Sequence, residues 1–438
     1  MPRVCHARAK RATLAAPVSA PSDPPTPGRD GGGRLSYSVI VPVFNEEGNV
    51  QALASRVIAT MEAVGVPHCN EFFEVSTSDV EGLCDIVRRT GIRAVTTSGS
   101  EVSLKATANV AVRLGLPFYA DPETVRRCQE KDAMRAGYRA AGLAVPEFAR
   151  CERVEEALAF AQGRRFPLVV KPSRGWGQRG VARVNDASEL RRAFEEARAH
   201  SAGAGLASAV VEEWLEGEEY SVNGWIENGV LVNYCVTARI TVPGDRPLGV
   251  MIAEAYPSGL SVEDEARVVD EARRGAAALG HLRGPCYSQV GLGARGCFLF
   301  ETAARLGGGF DADVTRLASG VDLYDRLLGV AFGDDVLERQ GAVGPRRRAA
   351  IAKFLVAKPG IVRAVRGLEE ARAIRGVDDV QAFVGVGGQV WPLTDSAKRA
   401  GYALAHGSTP SEATARADEA LARLSIDTGD ESCDEAGA

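Results

Sequence analysis

The apolar runs of this chain change character near residue 121, and that change limits the fold more than any other feature. From Ser36 they alternate with stretches of helical period. "SVIVPVF" is followed by "NVQALASRVIATMEAVG", and "EFFEV", "IRAVTTS" and "LPFYA" are separated by "DVEGLCDIVRRTG" and "SLKATANVAVRLG". Strands separated by helices cannot form hairpins, so this part predicts a parallel sheet with crossover helices. Next comes "DPETVRRCQEKDAMRAGYRAAGLAVPEF", read as helix, small turn and strand. Beyond it the apolar runs arrive in pairs: "PLVVKP" with "GVARV", then "AVVEEWL", then "EYSVNGWIENGVLVNYCVTARI", where Asn228-Gly229 is a turn signal. The fold class is therefore α/β followed by α+β, with the boundary at 121 to 130.

A chain of 438 residues is more than one core normally serves. Its formal charge of −5 and 45% hydrophobic content are those of a soluble globular chain with no nucleic-acid partner. The nine cysteines, at 5, 69, 84, 128, 151, 235, 286, 297 and 433, include no Cys-x-x-Cys pair and have no clustered histidines. This argues against zinc or a disulfide framework and for a reducing cytoplasm. No apolar run reaches the roughly 18 to 20 residues that span a bilayer. The head is rich in Pro, Ser and Gly and lacks the apolar centre of a secretory signal, which predicts a disordered tail.

The densest chemistry lies in "FPLVVKPSRGWGQRGVARV". Lys171 ends an apolar strand, and Gly175, Gly177 and Gly180 occupy the loop to the next strand. Glycines let backbone N–H groups approach phosphate oxygens, and the lysine adds a fixed positive charge. It is not a Walker loop, because no GxxxxGK[ST] leads into a helix. From the glycines alone, an ordinary surface hairpin is an equal alternative. "VVEEWLEGEEYSVNG" then places Glu212 and Glu213 at a strand end and Glu218 and Glu219 a few residues on, a linker able to meet an adenine edge and ribose hydroxyls. A run of acids is otherwise a solvated face. In "GPCYSQVGLGARGCFLFETAARLGGGF" a short turn centred on Arg295 sets Gln289 opposite Glu301. Opposed Cβ atoms lie about 4.5 to 5.5 Å apart, close enough to share one hard divalent cation. Ala303 and Arg305 point to the same face. The alternative is a paired Gln and Glu on an exposed sheet.

In this order, the three elements resemble the ATP-grasp superfamily from about Asn70 to about Ile426. The resemblance implies an ATP-grasp fold with a truncated Rossmann-like N-terminal domain and a small C-terminal α+β lid. The implied divisions are a tail at 1–35, a Rossmann-like domain at 36–125, an ATP-grasp domain at 126–345, a C-terminal subdomain at 346–426 and a tail at 427–438. It implies ATP held by Lys131 of "CQEKDAMR", Lys171, Ser173, Gly175, Gly177, Gly180, Glu212, Glu213, Leu215 and Glu219, with Glu219 on the ribose. It further implies Mg2+, or Mn2+ in its place, on Gln289 and Glu301, with Arg305 and Lys171 as catalytic residues. Residues from "FLVAKPGIVRAVRG" to "ARADEAL" resemble the C-terminal domain of the L-amino-acid ligase branch. The implied activity joins a carboxylate to an amine through an acyl phosphate. Small-molecule substrates are then the partners, with neither membrane nor nucleic acid, and a homodimer is left open. There are two departures. The metal strand reads Glu301-Thr302-Ala303 where the family has Glu-x-Asn, and Gln289 stands where many relatives carry Glu, although the carbamoyl-phosphate synthetase branch has glutamine there. An ATP-binding protein without turnover is therefore the alternative.

"SYSVIVPVFNEEGNV", Ser36 to Val50, points elsewhere. With the helix after it, to residue 66, it resembles the opening of a family-2 glycosyltransferase, yet no acidic strand end or later carboxylate pair follows at usable spacing. The expectation is a core strand from Val39 to Phe44, followed by Asn45, Glu46 and Glu47 as the turn and first residues of a helix, where negative charge is favoured; a glycosyltransferase is the third reading.

Overall fold

The computed structural model describes residues 39–40, 73, 75–244, 248–332 and 348–429. Of the glycosyltransferase-like stretch only Val39–Ile40 falls within these residues, as a two-residue strand parallel to Ala94–Val95; the remainder of that expectation lies outside them. The helices Val80–Thr90 and Glu101–Leu114 follow as predicted, each closed by a left-handed glycine, Gly91 and Gly115. "LPFYA" forms no strand. It contributes Tyr119 and Ala120 to the core instead.

The single helix expected from Asp121 onward is two. Pro122–Gln129 and Lys131–Ala140 are separated at Glu130, whose backbone is extended and bridges to Arg174. Glu130 is ion-paired with Arg126 at 2.6 Å and with Arg174, and the Lys131 N–H donates to the Ser173 carbonyl at 2.8 Å. The break is thus held by the hairpin that carries the glycine loop, and it starts a helix at Lys131.

A four-stranded antiparallel sheet runs in the order Phe148–Cys151, Ala209–Glu213, Leu168–Pro172, Ala182–Val184. Helices Val154–Ala161 and Ala187–Gly203 cover it through a core that includes Leu168, Val170, Leu190 and Phe194. The larger sheet has eight strands in the order Gly296–Ala303, Gly284–Gly293, Glu218–Glu227, Val230–Thr241, Met251–Tyr256, Ala349–Leu355, Gly401–Gly407, Val377–Ala382. Asn228 and Gly229 make the tight turn between its third and fourth strands with φ of 49° and 78°, the left-handed pair a two-residue hairpin needs.

Met251–Tyr256 pairs antiparallel with Ala349–Leu355, so the C-terminal region extends the central sheet. A three-stranded sheet of Gln389–Val390, Gly360–Arg366 and Ser425–Gly429 flanks it. On the large sheet, helix Val262–Ala278 and the N-terminal helices share one core, with Leu104, Val125, Tyr138, Val268 and Leu299 all buried. This common packing holds Glu101 and Lys131 over the sheet's hairpin end. No helix of the described residues is long and apolar enough to cross a membrane.

Candidate active site

Between the two sheets lies a cavity of about 260 Å³. At one end, Lys171 leaves the strand Leu168–Pro172 and pairs with Glu212 on the neighbouring strand. Arg135, fully buried on the helix Lys131–Ala140, takes the same carboxylate through Nε at 3.1 Å and a terminal nitrogen at 3.3 Å. Burial works against the Glu212 carboxylate, but Arg135 and Lys171 hold it down at about 2. Burial, then Arg135, pushes Lys171 down to about 8. The helix break starts the Lys131 side chain inside the cavity, where its Nζ donates to Glu301 at 2.8 Å. Burial opposes ionisation of Glu301, and Lys131 and Arg305 keep its carboxyl below the usual range. Two lysines and an arginine therefore share two carboxylates behind the glycine loop, which leaves one positive charge in excess.

Alternation along the hairpin Gly284–Gly293 and Gly296–Ala303 sets the next group. Gln289 pairs directly with Glu301, and Tyr287 with Ala303, before a bulge shifts the register at Val290 opposite Leu299. The Gln289 amide donates to Glu219 at 2.6 Å, and Arg239 meets Glu219 at 3.3 Å and the Tyr287 hydroxyl at 2.9 Å. Glu219, Gln289 and Glu301 thus share this wall of the cavity. Among the described residues no group of three His, Cys, Asp or Glu is placed to hold a metal. The oxygens that are present suit an ion which keeps waters and phosphate oxygens as its remaining ligands, as magnesium does.

At the other end Arg305 donates through Nε to Glu101 at 2.6 Å and stands 3.7 Å from Glu301. The glycine run after it lets the chain pass tightly over two acids. The Gly309 N–H donates to Asp311 at 2.8 Å, and a Cβ on Gly309 would come 3.1 Å from Glu254 Oε2. Asn223 also donates to Asp311, at 2.7 Å, and Thr237 donates to Glu254 at 2.5 Å. Burial and then the neighbouring Asp311 push the Glu254 carboxyl well above its usual range.

Of the residues that the resemblance assigns to ATP, metal and catalysis, all but Ser173 and Gly180 line this cavity. Ser173 is buried behind it, accepting from the Ser208 hydroxyl at 2.9 Å, and Gly180 sits against helix Ala187–Gly203, 3.3 Å from Ala197 Cα for an added Cβ. Glu212 is spent on Arg135 and Lys171, whereas Glu213 is half-exposed and meets Arg295 at 3.4 Å. Sequence reasoning missed Glu101, Arg135, Arg239, Glu254 and Arg399. Arg239 and Glu254 carried a signal, a charge inside an apolar strand. Glu101 carried none, since it reads as an acid in the first turn of a helix.

Known proteins resemble this chain in sequence and in fold. Residues 164–311 match the ATP-grasp domain, and residues 353–429 match the L-amino acid ligase C-terminal domain 2. The chain is 28% identical over 345 residues to an uncharacterised protein of Sinorhizobium fredii, y4rH, covering 76% of this chain and 69% of that one. It is 24% identical over 273 residues to the alanine–anticapsin ligase of Bacillus subtilis, covering 57% of each. The crystal structure of L-amino acid ligase from Bacillus licheniformis superposes with a TM-score of 0.73 at 22% identity, over 91% of this chain and 100% of that one, a likeness of fold. Both matched segments lie outside residues 36–66.

Proposed function

We propose that this chain, an ATP-grasp ligase by its ATP-grasp domain and its L-amino acid ligase C-terminal domain, uses ATP to activate a carboxylate as an acyl phosphate and joins it to an amine of the amino-acid type. One observation carries the reading: Lys131, Lys171, Glu301 and Arg305 meet on a single cavity, with a glycine loop at one end and a glycine run at the other. In the reaction a carboxylate oxygen attacks the γ-phosphorus and ADP leaves. The amine nitrogen then attacks the acyl carbon, releasing phosphate and a proton.

The chain's part is positioning and charge stabilisation, with no protein nucleophile. Lys131 and Lys171 face the triphosphate, the amides of Gly175 and Gly177 close over it, and the linker from Glu213 to Leu215 borders the base. Arg305, its guanidinium fixed by Glu101, steadies the negative charge of the mixed anhydride beside Gly308 and Gly309. Glu301 and Gln289, with Glu219 beside them, would hold magnesium, whose chemistry is to neutralise phosphate oxygens. Cys84, Cys128, Cys151, Cys235, Cys286 and Cys297 are all free thiols, which supports a cytoplasmic location.

The test is ADP release by the full chain with ATP, Mg2+ and pairs of amino and carboxylic acids. Release that needs both substrates supports ligation, and ATP binding without release from any pair rejects it. That outcome would favour the second reading, a nucleotide-binding protein without turnover, whose support is that Gln289 turns its amide hydrogen to Glu219 while Ala303 supplies no ligand.

A further inference from the structure

Four arginines line the cavity, and three have carboxylate partners: Arg305 with Glu101 and Glu301, Arg239 with Glu219, Arg179 with Asp395. Arg399 has none among the described residues. Its guanidinium lies 3.6 Å over the Phe354 ring, and its Nε donates to the Ser396 carbonyl at 2.6 Å. Those two contacts fix the plane of the group and leave its terminal nitrogens without an acceptor among the described residues. The charges around it are Arg239, Asp311, Glu254 and Asp395, of which Arg239 acts most strongly after burial itself, so its pKa falls to about 10. It therefore remains a cation at neutral pH. A cation at a cavity wall with no counter-ion is costly, and a bound anion offsets that cost. The two oxygens of a carboxylate match the forked edge of a guanidinium.

The segment that carries Arg399 also clasps the phosphate loop. Asp395 caps the short turn Ser396–Lys398 through the Ala397 N–H at 2.9 Å and meets Arg179 at 3.4 Å. The Ser396 N–H donates to the Gly177 carbonyl at 3.1 Å, and its hydroxyl donates to Gln178 at 2.7 Å. The segment that places the guanidinium is thus bonded to the loop in this conformation. We infer that Arg399 receives the carboxylate of the amine-bearing substrate and does so in the loop-closed state. The substrate assignment rests on the ligase reading; the anion receptor rests on geometry alone.

The experiment uses the full chain loaded with a non-hydrolysable ATP analogue and titrated calorimetrically with each common amino acid and its primary amide. At least one acid should bind ten-fold or more tightly than its amide, as one charge-assisted contact is worth. Arg399→Met, which keeps a side chain against Phe354, should erase that preference with the amide affinity within about two-fold of wild type, and Arg399→Lys should restore part of it. Absence of any acid-over-amide preference in the wild type, or its survival in Arg399→Met, overturns the assignment. A loss confined to the ATP analogue would assign the guanidinium to phosphates and overturn it too. ADP release measured in parallel separates the two claims: preference without release leaves the receptor standing and rejects ligation, and release with no preference does the reverse.

Discussion

The two ends of the cavity balance their charges differently. At the glycine-loop end Lys131, Lys171 and Arg135 are ion-paired with Glu212 and Glu301, so every charge of the cluster has a partner within it. At the far end burial and Asp311 raise the Glu254 carboxyl well above its usual range, and Arg399 has no carboxylate partner among the described residues. Burying charge costs several kcal/mol per ion unless partners repay it. The first end repays that cost within the protein, so it is pre-organised for a ligand that always has the same phosphates. The second leaves part of it outstanding, which a substrate of complementary charge completes. The contrast separates a site for a constant ligand from a site for a chosen one.

The largest effect expected from breaking this contrast is at Glu212. Glu212→Ala strands Arg135 and Lys171 in the interior, and urea denaturation should show a loss of about 3 to 5 kcal/mol. A loss below about 1 kcal/mol would mean the cluster is not closed. Next is Lys171→Ala, which leaves Glu212 with Arg135 and the fold intact; direct binding should show ATP affinity lowered by about 1.5 to 3 kcal/mol, with ADP release gone.

A third variant, Glu254→Gln, addresses the far end. Because the folded-state pKa of Glu254 is raised above its usual 4.5, the folded protein holds the extra proton, so stability falls as pH rises from about 4.5 toward the folded-state value. The slope is at most about 1.4 kcal/mol per pH unit. Glu254→Gln should flatten that fall, and an unchanged pH profile would mean that Glu254 does not hold a raised pKa in the folded protein.

Smaller still, Asn228→Ala should cost about 1 kcal/mol by placing a side chain poorly suited to left-handed backbone in the tight turn, with ADP release unaltered. Arg295→Ala removes a half-exposed pair with Glu213 and should shift stability by less than about 1 kcal/mol. A larger shift would mean that the hairpin tip contributes to the site.

The nucleotide end was legible because its signals are local. Strand alternation and a short turn put Gln289 opposite Glu301, and the pairing holds there even though the bulge at Val290 moves the rest of the hairpin by one residue. Lys171 at a strand end before a glycine loop is likewise a matter of neighbours in sequence. The helix break at Glu130 was not legible, because the residues before and after it have helical period and what breaks them is Arg174 on another element.

Alternation, turn chemistry and residue type by themselves determined which face of the hairpin bears Gln289 and Glu301, where the glycine loop lies, and that strands after residue 121 pair antiparallel. Only the tertiary structure decided that Met251–Tyr256 would lie beside Ala349–Leu355, that Glu101 would reach Arg305 across 204 residues, and that Arg399 would face the cavity. The physical reason is that a local pattern reports which face of an element is apolar, and many partners satisfy an apolar face. Which partner wins depends on packing the whole core at once, and the charges that ride on those elements meet as a consequence.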